Sequence, residues 1–178
     1  MYTRAMFSEI LAVGGKTNSL GRAEEVIDAV LHDKSRLEEL YGCLFDDDAW
    51  VRMRAADSIE KVCRQHPDWL EPFIDRFATD LSASSQPSIL WHLAQIYTEV
   101  PLTDSQKAFA IDWLKGLIAT VEVDWIVSSN AMDALVHFSS DGSLPVPEII
   151  PLLQVQQKHH SKAVVRRANK LLDMLMLK

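Results

Sequence analysis

The sequence predicts an all-α protein, a right-handed α–α superhelix of about four helix pairs behind an N-terminal capping pair. Three observations carry that prediction. Apolar residues recur at three- and four-residue spacings, as in Val51, Ala55, Ile59, Val62 and Cys63, or Ile89, Leu93, Ile96, Tyr97 and Val100. Six Gly and seven Pro in 178 residues are few for the turns of a strand-rich fold. The helices also repeat: Ala56, Ala94, Ala131 and Ala168 each fall mid-helix, at separations of 38, 37 and 37 residues. Helix pairs of that period bury their apolar faces only by stacking on the next pair.

Each element follows from its punctuation. Residues 4–13 and 20–32 read as the capping pair, 4–32, broken by Gly14-Gly15. Leu37, Leu40 and Leu44 define a helix over 35–44. Asp46-Asp47-Asp48 then precedes a helix over 48–64, where carboxylates cap free N–H groups and offset the dipole. Leu70, Phe73 and Phe77 place a helix over 68–81. Further helices follow at 87–99, 104–119, 123–138, 146–158 and 161–176. Pro67, Pro87 and Pro147 stand where helices begin, as suits a residue with no N–H to donate. The pairs are 35–64, 68–99, 104–138 and 146–176, within a single domain over 1–178, a length short for two.

Composition narrows the class. Hydrophobic residues are 48% and charged residues 24%, which excludes a disordered or collagen-like chain. The net charge of −7 is uneven: residues 1–157 hold 12 Lys/Arg against 24 Asp/Glu, while residues 158–178 hold six Lys/Arg against Asp173. An acidic body repels phosphate backbones and argues against a general nucleic-acid binder. Cys43 and Cys63 have no metal-ligand spacing and read as reduced core thiols. Met1 to Val13 has no uninterrupted apolar region of a signal peptide, and nothing approaches a membrane span. The expectation is a cytoplasmic protein with no membrane partner.

Motifs of chemistry are weak. Gly14-Gly15-Lys16-Thr17 resembles the end of a phosphate-binding loop, but Ile10 stands where its first glycine belongs. A turn followed by a helix capped at Asn18 or Ser19 fits better. Three consecutive carboxylates at Asp46–Asp48 diverge too far to hold a metal. His159 and His160 would diverge by about 100° on a helix, and near its C-terminus they suit exposed carbonyls. No nucleophilic triad, metal site or cofactor loop is visible. Of the five tryptophans, Trp69, Trp113 and Trp125 read as inter-helix packing, while Trp50 and Trp91 border the second-helix surface.

The stretch Asp48-Ala49-Trp50-Val51-Arg52-Met53-Arg54-Ala55-Ala56 resembles the second helix of a HEAT repeat, with its Asp, Val-Arg pair and Ala-Ala. Val164-Val165-Arg166-Arg167-Ala168 is similar but weaker. The units containing Trp91 and Asn130 match only in period and apolar register. The resemblance covers about residues 35–178 and implies a HEAT/armadillo-like scaffold that holds other proteins. It also implies a ladder in which Arg52 bonds an aspartate of its own or the next repeat. The lack of His-Glu pairs counts against the iron-dependent hydroxylase known among HEAT-like proteins.

In such an array the second helices line the concave side. The register then makes Arg54, His92, Ser129 and Arg166 one column, and Asp57, Gln95, Met132 and Asn169 the next. The expected binding residues are Arg54, Asp57, Trp91, His92, Gln95, Ser129 and Arg166, on a solvated face that docks a protein or peptide, preferably an acidic one. No catalytic residue is assigned. The competing class is a nucleic-acid enzyme resembling HEAT-like alkylpurine DNA glycosylases, with Arg52, Arg54, Asp57 and Trp91 imitating its site. The excess of acids makes its phosphate-binding stripe inadequate.

Overall fold

The computed structural model describes residues 6–15 and 19–177. Among them the regular elements are all helical: α1 (Phe7–Ala12), α2 (Ala23–His32), α3 (Leu37–Gly42), α4 (Ala49–Gln65), α5 (Ile74–Asp80), α6 (Pro87–Glu99), α7 (Asp104–Leu117), α8 (Trp125–Ser140), α9 (Val146–Gln156) and α10 (Lys162–Met176). The expected helices are present, with two divisions, the first being 35–44, where α3 stands between 3-10 turns at Lys34–Arg36 and Cys43–Phe45. Residues 68–81 form a 3-10 segment, Pro67–Phe73, leading into α5. Pro72 inside that segment has no N–H to return to the carbonyl of residue 68, which disfavours a continuous α-helix there. The first expected helix begins outside the described residues, which include neither residue 4 nor residue 5.

The chain divides into two compact units, Met1–Glu71 and Pro72–Lys178. In the first, α1 packs on α2, α3 and α4, and α2 lies along α4. Phe7, Leu11, Val26, Val30, Leu40, Ala55 and Val62 are fully buried there. The start of α1 is held by α3: the Phe7 N–H donates to Glu39 Oε1 at 2.8 Å. Arg36 pairs with Glu39 at 2.7 Å and lays its guanidinium over the Phe7 ring at 3.7 Å. The acidic triplet caps α4, the Asp48 carboxylate accepting from the Trp50 N–H at 2.8 Å.

In the second unit α6, α8 and α10 pack in succession, with α7 against α6 and α8, and α9 against α8 and α10. Ala94, Ala131 and Ala168 are fully buried on these three helices, the small residues that let the backbones approach. Thr103 and Gln106 form a capping box on α7, and Asp124 caps α8. Charged rungs link elements about one period apart. Lys107 meets Asp141 at 3.2 Å, Lys115 meets Glu148 at 2.5 Å and Arg167 meets Asp133 at 2.6 Å.

Candidate functional site

The two units treat the second-helix column differently. Arg54 is 4% exposed. Its guanidinium donates to the carbonyls of Leu11 at 2.5 Å, Gly14 at 2.9 Å and Ser19 at 3.0 Å. The Leu11 carbonyl lies in the last turn of α1, where no intrahelical N–H reaches it, so Arg54 serves as its cap. Glycines shape the loop around this cation. Gly14 and Gly15 adopt φ of 85° and 78°, and Gly21 adopts 54°. A Cβ on Gly21 would stand 2.8 Å from the carbonyl oxygens of Val13 and Gly14 and 3.0 Å from Arg54 Cζ. The expectation that Arg54 faces solvent is therefore wrong, because its charge is consumed by carbonyls inside its own unit. Lys16, Thr17 and Asn18 lie outside the described residues, and Ser19 does not cap α2, whose N-cap is Arg22.

Asp57 is buried as well, paired with Lys61 at 2.7 Å. Arg52 donates to the backbone carbonyls of Asp46 and Asp47 at 2.6 Å and 3.0 Å. Both of these bonds go to the backbone of aspartates in its own repeat, and an Asp–Arg pair between neighbouring repeat helices joins Asp133 to Arg167. Of the residues in the glycosylase-like grouping, Arg54 and Asp57 are buried, while Arg52 and Trp91 are half-buried. Glu60, buried one turn on, pairs with Arg64; burial raises its carboxyl above the usual range more than Arg64 restores it. Burial, with Glu39 and Asp46 nearby, pushes the Cys43 thiol up to about 12, so it stays an inert core group.

In the second unit His92 is 2% exposed, which again contradicts the solvated column. Trp91 is half-buried beside it, the ring centroids 3.5 Å apart. Gln95 donates to Asn130 at 3.0 Å, tying α6 to α8. The Ser129 hydroxyl donates to the Trp125 carbonyl at 2.9 Å. Met132 is fully buried, whereas Asn169 is exposed and accepts from Gln157 at 2.7 Å. Arg166 is exposed on α10. Of the expected binding residues, Trp91, Gln95, Ser129 and Arg166 thus retain accessible surface. Trp125 was expected to pack and is instead half exposed at the first position of α8.

The sequence reading missed a second clamp. Gln156, fully buried, donates to the carbonyls of Ile118 and Thr120 at 2.9 Å and 2.7 Å and accepts from Ser128 at 2.8 Å. His159 Nδ1 accepts from the Ser161 N–H, which fixes Nε2 as the donor to the Val123 carbonyl, each at 2.9 Å. The histidine does meet a carbonyl, although one from the preceding connection. His159 and His160 lie beyond the end of α9, so the helical divergence does not apply and their rings stack at 4.2 Å. Among the described residues, no three His, Cys, Asp or Glu converge as a metal site, and no helix is long and apolar enough to cross a membrane.

A family model described as the HEAT repeat domain matches residues 15–122, more than half of the chain. The chain belongs to the HEAT repeat family. The match includes the Asp48–Ala56 motif and extends over α6 and α7, where the sequence shows only period and apolar register. Comparison of this HEAT-repeat chain with curated proteins and with solved structures returns no match.

Proposed function

We propose that this HEAT-repeat chain is a non-catalytic scaffold that docks a partner protein or peptide on the second-helix face bearing Trp91, Gln95, Ser129 and Arg166. The observation that carries the reading is the stacking of α6, α8 and α10, which repeats one half-polar helix face in register while small alanines close the contacts beneath it. Such surfaces suit extended partners, and Trp and Arg are enriched among interface hot spots. Arg54 and Asp57, which the competing enzyme reading would need, are buried and engaged inside the first unit, and this favours a role without catalysis. In the same reading the pairs continue as one right-handed solenoid, four pairs behind the N-terminal pair. A left-handed or interrupted stack in an experimental density map would contradict that part. Cys43 and Cys63 are buried thiols outside any disulfide, which suits a reducing compartment, so the proposed setting is the cytoplasm.

The test is affinity capture from lysate with the wild-type chain and with Arg166→Glu, each mapped by cross-linking. A protein partner cross-linked near Trp91 and Ser129, and weakened by Arg166→Glu, supports the reading. Recovery of nucleic acid, or a partner indifferent to Arg166→Glu and cross-linked elsewhere, overturns it.

A further inference from the structure

Away from that face, between α5 and α7 and over α6, the second unit holds a cavity of about 390 Å³. Its wall includes Ile74, Asp75, Thr79, Tyr97, Gln106 and Phe109. Tyr97 is 1% exposed, and its buried hydroxyl has no hydrogen-bond partner among the described residues. A phenol in that state has left water without a replacement partner, which is costly unless something else supplies one. Burial, with Asp75 nearby, raises the Tyr97 pKa, so the group stays a neutral phenol with oxygen lone pairs to offer. Asp75 is exposed and accepts from Gln106 at 2.9 Å, and Phe109 is 40% exposed.

The charge at this site has one sign. Asp75 is the charged residue among the described residues of the wall. The surrounding sequence adds Asp80, Glu99, Asp104 and Asp112 against Arg76 and Lys107. Lys107 is engaged by Asp141 and Ser143, and the Arg76 guanidinium lies over the Phe73 ring at 5.1 Å. An anion would meet the Asp75 carboxylate, and an apolar group would leave the phenol as it is.

We propose that this cavity receives a Lys or Arg side chain of a partner protein, whose N–H groups donate to the Tyr97 phenol oxygen and the Asp75 carboxylate while its aliphatic stem lies against Ile74 and Phe109. A long cationic side chain is apolar along its stem and donor-rich at its head, matching a site with an apolar wall and two acceptors. The proposal rests on the scaffold reading for the source of the side chain, but not on the face assigned there.

The test titrates the full chain with N-acetyl-arginine amide, N-acetyl-lysine amide and the neutral N-acetyl-norleucine amide, followed by backbone amide NMR shifts. The expected result is saturable shifts for a cationic probe, confined to residues 74–79, 97 and 105–109, and none for norleucine. Asp75→Asn and Tyr97→Phe should each weaken the cation about tenfold, the loss of one charge-assisted hydrogen bond. Asp75 is exposed, so its variant carries the test even if Tyr97→Phe fails to fold. Norleucine binding equally well, no saturable shift, or unchanged affinity in Asp75→Asn overturns the proposal. Should the probes bind in an Asp75-dependent way to a chain that captures no protein, the cavity's preference for cations stands and the scaffold reading fails.

Discussion

The first unit restrains a connecting loop with a permanent cation, and the second restrains one with neutral groups. Arg54 reaches back 43, 40 and 35 residues to the carbonyls of Leu11, Gly14 and Ser19. Gln156 reaches back 38 and 36 residues to Ile118 and Thr120, and His159 reaches back 36 to Val123. Both clamps span about one repeat, and both satisfy carbonyls that follow or end a helix. They differ in what lies beneath. The 118–123 connection is anchored by Ile118, which is fully buried, whereas the described glycines of the first loop bring no apolar side chain to bury. A loop with little hydrophobic anchorage needs stronger polar bonds, and bonds to a charged donor are about twice as strong as neutral ones.

The largest expected effect comes from breaking the charged clamp. Arg54→Met removes three donors and leaves carbonyls in a desolvated site, costing about 3 kcal/mol or more of stability. Urea denaturation measures it, and a loss under 1 kcal/mol would mean that the clamp is incidental. Gly21→Ala attacks the same loop from its backbone. The added Cβ meets two carbonyl oxygens in a left-handed conformation, and a cost of about 1–3 kcal/mol is expected by the same measurement. Gln156→Leu breaks the neutral clamp while keeping most of the volume. About 1–3 kcal/mol should be lost, less than for Arg54→Met. A reversed order of the two would sink the comparison.

The smallest effects are in pH dependence, where Glu60 and Asp141 should differ in sign. Glu60 has a raised carboxyl pKa, so the stability it contributes is full below the unfolded value of about 4.3 and is lost as pH rises through the folded one. Glu60→Gln should therefore gain on the wild type as pH rises towards neutrality. Asp141 behaves oppositely. Burial alone would raise it, but the Ser143 hydroxyl and N–H and the Lys107 ammonium outweigh burial and hold it below the usual range. Its contribution is present above the unfolded value and lost as pH falls through the folded one. Asp141→Asn should lose ground to the wild type over the same rise, and urea titrations between pH 3 and 7 read both slopes. Parallel profiles for the two variants would contradict the assignment.

Much of the fold was legible because it is local. The three- and four-residue spacings, the Asp48 cap and the buried alanine register are each set within a turn or two of helix. The break at Pro72 was legible in principle, since the residue lies in the middle of the expected 68–81 helix. Candidate binding residues were harder to read, because a column position on a helix fixes direction but not what lies opposite. Arg54 points off the apolar stripe, yet the carbonyls of Leu11, Gly14 and Ser19 lie against it. Gly14, Gly15 and Gly21 were the available signal, as glycines spaced around a tight loop invite a close approach. His92 is also buried despite its column position, and Trp125 is half exposed at the first position of α8. Gln156 carried no local signal at all.

The central claim is that Arg54 holds a loop in place and that docking belongs to the second unit. Hydrogen exchange of Arg54→Met against the wild type, with partner capture on the same samples, tests it most directly. The account predicts lost protection across the described amides of residues 11–15 and 19–23, unchanged protection in α6, α8 and α10, and undiminished capture. Unchanged exchange in those loop residues, together with lost capture, would contradict it and return Arg54 to the binding surface.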